Sequence, residues 1–319
     1  MIVILTTGSH RYTHRVLARE RRLDVKLLSY EEVFRLRRLP RATYVFTDMD
    51  RLGYFELEQA GLLYGQLRRA GLMTLNDPTR VSQRFKLLRQ LKREGINDFD
   101  VWSLNDAAPP DRFPVFLRTA SAHRGVLSGL LANQEALDQA IGAALEQGLP
   151  QRELLAVEYC AEPVAPGLFR KLSLYRVGER MITGTCVHDN QWVAKNGVKG
   201  IATEALYDDE LRMVRDNPHG ELLRRVFTLA NIDYGRADFA LVGGRPQIYE
   251  INTNPMLAPP QPHPVKARVE SSTLAHENLI AAFAAIDSAG ARGHIEVSLH
   301  PRVAAGLRRW PRRDIPWRP

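Results

Sequence analysis

The stretch "GRADFALVGGRPQIYEINTNP", Gly235 to Pro255, decides the reading of this chain. Apolar residues alternate on either side of a Gly-Gly-Arg-Pro turn, yet Arg236, Asp238, Glu250, Asn252 and Asn254 interrupt them. Side chains on a strand change face at every residue. Arg236, Asp238 and Ala240 therefore share one face, and Ile248, Glu250 and Asn252 share one face of the return strand. Whether these faces coincide depends on register, which the turn fixes. A three-residue loop, Gly243-Gly244-Arg245, sets Asp238 opposite Glu250 and Arg236 opposite Asn252, whereas a two-residue loop sends the acids to opposite faces. In the first register two carboxylates confront each other, which destabilises a bare sheet unless a cation relieves it. Two carboxylates and an amide oxygen make a hard, all-oxygen set suited to Mg²⁺ carrying nucleotide phosphates. A half-exposed hairpin with an Arg236–Asp238 ion pair accounts for the same residues.

The rest of the chain sets the limits. Its 319 residues, 45% hydrophobic and 25% charged, suffice for two or three globular domains or lobes. No apolar run approaches the length of a membrane span; the opening "MIVIL" stops at "TTGSH". With no signal peptide in view either, the expected compartment is the cytoplasm. Cys160 and Cys186 are too few for a disulfide framework and lack metal-site spacing. A net charge of +8 invites a nucleic-acid reading, but the basic residues are spread along the chain among acids. That distribution argues against nucleic acid and suits anionic metabolites.

The first eighty or so residues read as alternating strands and helices. "IVILTT", "VKLLS", "TYVFTD" and "LMTLND" are strand-like, while "RYTHRVLARERR" and "YFELEQAGLLYGQLRRAG" are helical. The succession argues for a small parallel α/β domain, with ligands met at the strand ends near Thr6–Gly8 and Thr47–Asp50. A helix "RVSQRFKLLRQLKREG", a strand "FPVFLRTA", a helix "NQEALDQAIGAALEQG" and a strand "LLAVEYCA" follow. Two strands around Gly178-Glu179, one or two helices over "YDDELRMVRDNPHGELLRRVFTLANID", the hairpin, and a helical segment over 265–288 complete the pattern. The expected division is an α/β domain over 1–78, lobes over 79–157 and 158–290, and a basic tail over 291–319. The tail's last residues carry six arginines with Trp310 and Trp317, and read as a docking arm or a solvated terminus.

This order of elements, ending in "RADF…EINTNP", resembles the ATP-grasp superfamily of carboxylate–amine ligases, the group that includes D-alanine:D-alanine ligase, glutathione synthetase and ribosomal-protein glutamate ligases. The resemblance covers roughly 76–257. It implies an α/β and α+β chain: an ATP-grasp fold preceded by a parallel α/β domain. It further implies that Asp238, Glu250 and Asn252 hold Mg²⁺, two ions in all, between the phosphates of ATP, while Arg236 faces the reacting acyl group. Lys86 stands where the family places a phosphate-binding helix lysine, although such a lysine is ordinarily just solvated. "AVEYCAE" is similar to the strand that meets adenine, with Glu158, Tyr159 and Cys160 along the base and Glu162 as a ribose ligand or a plain surface acid. "KNGVKG" resembles a stretch of the glutamate-ligase branch, which brings Asn196 and Lys199 toward phosphate or the acceptor carboxylate.

The departures from the family pattern concern the phosphate loop and the central strand. Arg118 replaces the usual strand lysine, and "TASAHRGV" keeps only Gly125, so that His123 and Arg124 would supply charge in place of backbone N–H groups. Lys171 and Ser173 stand where many relatives have an acid and an arginine. The resemblance thus implies an ATP-dependent ligase that joins a small or peptide carboxylate to an amine through an acyl phosphate, giving ADP and phosphate. The alternatives are a phosphotransferase on the same fold and a nucleotide-binding regulator without turnover. Homo-oligomerisation is left open, and no membrane partner is expected.

Overall fold

The computed structural model describes residues 1–105, 109–121, 125–195, 197–288 and 292–298. Its first sheet is parallel. β1 (Ile2–Thr6) is flanked by β2 (Val25–Ser29) and β4 (Thr43–Phe46), with β5 (Thr74–Leu75) beyond β4, in the order β2-β1-β4-β5. All five residues of β1 are buried, as befits a central parallel strand covered on both faces. The expected helix after β1 is shorter than its sequence pattern. A 3-10 turn over Gly8–His14 leads into α1 (Arg15–Arg19). In that turn Thr13 donates back to the His10 carbonyl at 2.9 Å and His14 bonds the Tyr234 hydroxyl at 2.6 Å, ties that hold the tighter geometry.

α2 (Tyr30–Val33) opens on a capping box in which Ser29 and Glu32 exchange bonds, and α3 (Tyr54–Arg69) crosses between β4 and β5. Two three-residue strands have no sequence signature of their own. They are β3 (Arg38–Pro40) and β15 (His294–Glu296), which pair antiparallel and bring residues 294–296 back onto the first domain.

The next lobe is a three-stranded antiparallel sheet, β6 (Val101–Ser103), β7 (Val115–Thr119) and β8 (Leu154–Glu158), in the order β6-β8-β7. α5 (Gln134–Glu146), capped by Asn133, covers one face through Val115, Leu117 and Leu137. α4 (Arg84–Arg93) packs Leu87, Leu88 and Leu91 into the main core together with Phe116. Strand alternation then puts Arg118 on the Phe116 face, away from α5.

The third sheet is antiparallel, with β11 (Arg180–Thr183), β10 (Leu168–Val177), β13 (Tyr234–Val242) and β14 (Arg245–Asn252) in the order β11-β10-β13-β14. β9 (Pro163–Ala165) and β12 (Val187–Asp189) pair with the first half of β10. α6 (Glu204–Asp216) and α7 (Gly220–Leu229) lie between β12 and β13 in sequence. α8 (Lys266–Ile286) returns to the parallel sheet, packing Leu279, Phe283 and Ile286 in one cluster with Ile2, Ile4 and Val45.

The decisive hairpin has the expected register, reached by a different route. The loop is the two residues Gly243 and Gly244, both at positive φ (56° and 75°), closed by the Val242–Arg245 pair. Uncorrected, that loop would part the acids. A β-bulge at Tyr249 intervenes: Phe239 pairs with Ile248, and the next pair is Asp238 with Glu250, followed by Arg236 with Asn252. The extra residue on one strand restores the opposition of the two carboxylates. Tyr249 itself reaches the other lobe, donating to the Cys160 carbonyl at 2.7 Å.

Candidate functional site

β13 and β14 present Asp238, Glu250 and Asn252 to a cavity of about 260 Å³ between the two antiparallel sheets. Asp238 is buried, and its two oxygens receive the Arg236 guanidinium in bidentate fashion at 2.7 and 3.0 Å, with the Lys171 ammonium 3.3 Å away. Glu250 receives Arg84 at 2.8 Å and Arg118 at 2.7 Å, both on the same oxygen, Oε2. Among the described residues four cationic side chains therefore relieve the repulsion expected between opposed acids, and the Arg236–Asp238 pair is present as well. Burial works against the charge on Arg236, but Asp238 and Tyr175 outweigh it and hold the guanidinium above its ordinary pKa. Arg118 moves the other way, down to about 10, through burial first and the neighbouring Arg84 second. It stays charged at neutral pH.

The donor chemistry fits a hard divalent cation: two carboxylates and the Asn252 amide oxygen. The amide oxygen accepts one bond, from the Asn254 N–H at 2.8 Å, and retains a second lone pair. Among the described residues no group of three or more His, Cys, Asp or Glu is arranged to hold a metal, so this mixed acid–amide set is the candidate.

The other end of the cavity is aromatic. Trp192 packs against Phe116 at 4.8 Å between ring centroids and edge-on against Tyr159 at 5.6 Å. Cys160 lines the same end, and burial pushes its thiol up to about 11, which keeps it neutral. Glu158 also lines the cavity, but its carboxylate is engaged by Arg112 and by the Asp100 N–H at 2.8 Å. Glu162 is exposed at the rim and accepts from the Gly243 N–H at 2.6 Å, so its carboxylate steadies the hairpin turn.

Several expected residues stand elsewhere. Lys86 is exposed and is not among the residues lining the cavity. Two positions along a helix rotate a side chain by about 200°, so the face that aims Arg84 at Glu250 aims Lys86 at solvent. Lys199 is likewise exposed and outside the lining, whereas Lys195, four residues earlier, lines the cavity and lies 3.7 Å from where a Cβ on Gly125 would be. His123, Arg124 and Asn196 fall outside the described residues, as does everything after Ser298. Among the described residues, Arg84 beside Glu250 and Trp192, Lys195 and Arg170 in the cavity lining carry no signal in the sequence reading above. Arg84 lies one turn before Leu88, which lines the cavity, and it is the packing of that helix that turns it to the site.

No described helix is long and apolar enough to cross a membrane. No protein-family model and no curated protein sequence matches the chain. Solved structures do match. The D-alanine-D-alanine ligase of Coxiella burnetii is similar over 90% of this chain and 94% of its own, with a TM-score of 0.51 at 13% identity. The VanG D-Ala:D-Ser ligase of Enterococcus faecalis is similar over 88% of this chain and 99% of its own, with a TM-score of 0.50 at 11% identity. A parallel α/β domain, two antiparallel sheets facing each other across a cavity and an acid-bearing hairpin at its floor together give this chain the ATP-grasp fold.

Proposed function

We propose that the chain is an ATP-dependent carboxylate–amine ligase. The observation that carries this reading is the pairing of Asp238 with Glu250 among Arg84, Arg118, Lys171 and Arg236 at one end of a cavity whose other end is aromatic. A planar base suits the Phe116, Tyr159 and Trp192 end, and a polyphosphate suits the cationic end. Mg²⁺, held by Asp238, Glu250 and Asn252, would neutralise charge on the phosphates.

In the proposed reaction a substrate carboxylate oxygen attacks the γ-phosphorus of ATP, and the bond from that phosphorus to the bridging oxygen breaks to release ADP. The amine nitrogen then attacks the acyl carbon, the bond to phosphate breaks, and the nitrogen gives up its proton to solvent. Arg118 and Lys171 offset the charge that develops in transfer, and Arg236, fixed by both oxygens of Asp238, orients the acyl group. No side chain needs to become covalently attached.

ADP release from the purified protein, screened against pooled carboxylates and amines, tests the reading. With the right carboxylate and no amine, hydroxylamine should trap a hydroxamate, and ¹⁸O from the carboxylate should appear in phosphate. AMP, or unlabelled phosphate beside an amide product, would refute it. A regulator without turnover is favoured by one observation, the neutralisation of both acids by the chain's own cations, and it predicts binding without ADP. A phosphotransferase would give ADP with a phosphoester.

The helix phase makes a sharper prediction. Arg118→Ala should weaken ATP binding by about 1.5–3 kcal/mol, the worth of a charge-assisted contact, and Lys86→Ala should leave it unchanged. Calorimetric titration of both variants checks this; a loss in Lys86→Ala equal to that in Arg118→Ala would remove the distinction between them.

A further inference from the structure

Arg84 and Arg118 converge on one oxygen of Glu250 but are held differently. Arg84 is tethered: its Nη1 donates to the carbonyls of Thr119 at 2.7 Å and Ala120 at 3.2 Å while its Nη2 holds Glu250. Arg118 lines the cavity and holds Glu250 through Nη2, and among the described residues no backbone carbonyl tethers it as two tether Arg84. The local charge is also unbalanced. Among the described residues four cations, Arg84, Arg118, Lys171 and Arg236, are paired with the two carboxylates, an excess of positive charge before any metal arrives. A divalent cation alone would add to that excess, whereas a polyphosphate would reverse it.

We propose that metal binding at Asp238 and Glu250 is conditional on nucleotide, and that Arg118 is the side chain that changes partner, leaving Glu250 for a phosphate oxygen as nucleotide enters and so releasing the carboxylate to the metal. The inference rests on the ATP-binding reading above. Arg84, fixed by its two carbonyls, remains as the permanent counter-ion that positions Glu250. Linkage requires the dependence to be mutual, so metal strengthens nucleotide binding by the same factor by which nucleotide strengthens metal binding. Nucleotide can still bind alone, because the centre starts with an excess of positive charge.

Mn²⁺ binding followed by electron paramagnetic resonance, on the full chain, tests the proposal. The wild-type protein is expected to take up no Mn²⁺ at Glu250 without nucleotide, to bind the non-hydrolysable analogue AMPPNP in the presence of a chelator, and to bind Mn²⁺ once AMPPNP is present. Arg118→Gln should gain nucleotide-independent Mn²⁺ binding by at least about tenfold, and adding Glu250→Gln to it should abolish that gain.

Tight Mn²⁺ binding by nucleotide-free wild type, or no gain in a natively folded Arg118→Gln, would overturn the coupling while leaving ATP binding intact. Should Arg118→Gln not fold, the wild-type titrations decide alone. Failure of AMPPNP to bind under any metal condition would overturn both the coupling and the ligase reading.

Discussion

Glu250→Gln is expected to lower Mg²⁺-dependent ADP formation by at least about 10²-fold, the scale of losing a group that stabilises transition-state charge, and to lower stability with it. The second effect follows from the same oxygen. Oε2 of Glu250 is the common acceptor for Arg84 and Arg118, whose side chains are only 7% and 12% exposed. Removing the negative charge leaves two nearly buried guanidiniums facing a neutral amide. Breaking a buried pair from one side typically costs 3–5 kcal/mol, and because the glutamine oxygen still accepts a bond, a value near the low end, about 3 kcal/mol, is expected. Glu250→Asp separates the two consequences. It keeps the charge, and hence most of the stability, while withdrawing the carboxylate by one methylene from its place opposite Asp238. Thermal melts and ADP assays performed below the melting transition of each variant provide the comparison. A folded Glu250→Gln protein with wild-type turnover would end the assignment of this carboxylate to the reaction centre.

The parts of the fold that were legible in the sequence are those whose burial is periodic. β1 reads as a central strand because both of its faces are apolar, and α3 and α5 read as helices over most of their observed lengths. The opposition of Asp238 and Glu250 was also legible, but through a loop of the wrong length. The turn closes in two residues and the bulge at Tyr249 supplies the missing one. Nothing in the alternation of "RPQIYEIN" marks a bulge, because Tyr249 leaves the ladder for a contact with Cys160, in a different lobe.

The same limit explains the helix of the site. "RFKLLRQLKR" carries basic residues on several faces, and only the direction of the core, set by Leu87, Leu88 and Leu91, shows that Arg84 and not Lys86 faces Glu250. Trp192 and Lys195 lie on an irregular segment between β12 and α6, where there is no period to read. β3 and β15 are three residues each, and only the pairing between distant parts of the chain makes them strands.

The joint between the parallel domain and the hairpin depends on Asn76, and Asn76→Ala is expected to be among the most destabilising single changes in the chain. Its side chain is fully buried. Nδ2 donates to the carbonyls of Phe46 at 2.9 Å and Tyr234 at 2.8 Å, and Oδ1 accepts from the N–H groups of Asp233 at 2.7 Å and Tyr234 at 2.9 Å. One amide thus ties the last residue of β4 to the first residue of β13. It does so from a left-handed backbone conformation, φ +64°, which asparagine tolerates and alanine resists. Alanine would leave three buried backbone groups and the half-buried Asp233 N–H without that partner and add the backbone strain. A loss of about 3–5 kcal/mol follows, less than a simple sum because the four bonds share one side chain. Asn76→Gly removes the same bonds but relaxes the backbone, so it should be less destabilising than alanine by about 1 kcal/mol. Asn76→Asp keeps the oxygen that accepts from Asp233 and Tyr234 yet turns its other oxygen toward the carbonyls of Phe46 and Tyr234, a repulsion that protonation relieves by supplying one O–H. Its deficit should therefore shrink as pH falls into the carboxylate range, while that of the alanine variant should change no more than the wild type does. Urea unfolding of the three variants at two pH values measures both contrasts. If alanine and glycine were each within about 0.5 kcal/mol of wild type, the range of ordinary surface substitutions, the joint would have to be held by the packing of α8 against Ile2, Ile4 and Val45 instead.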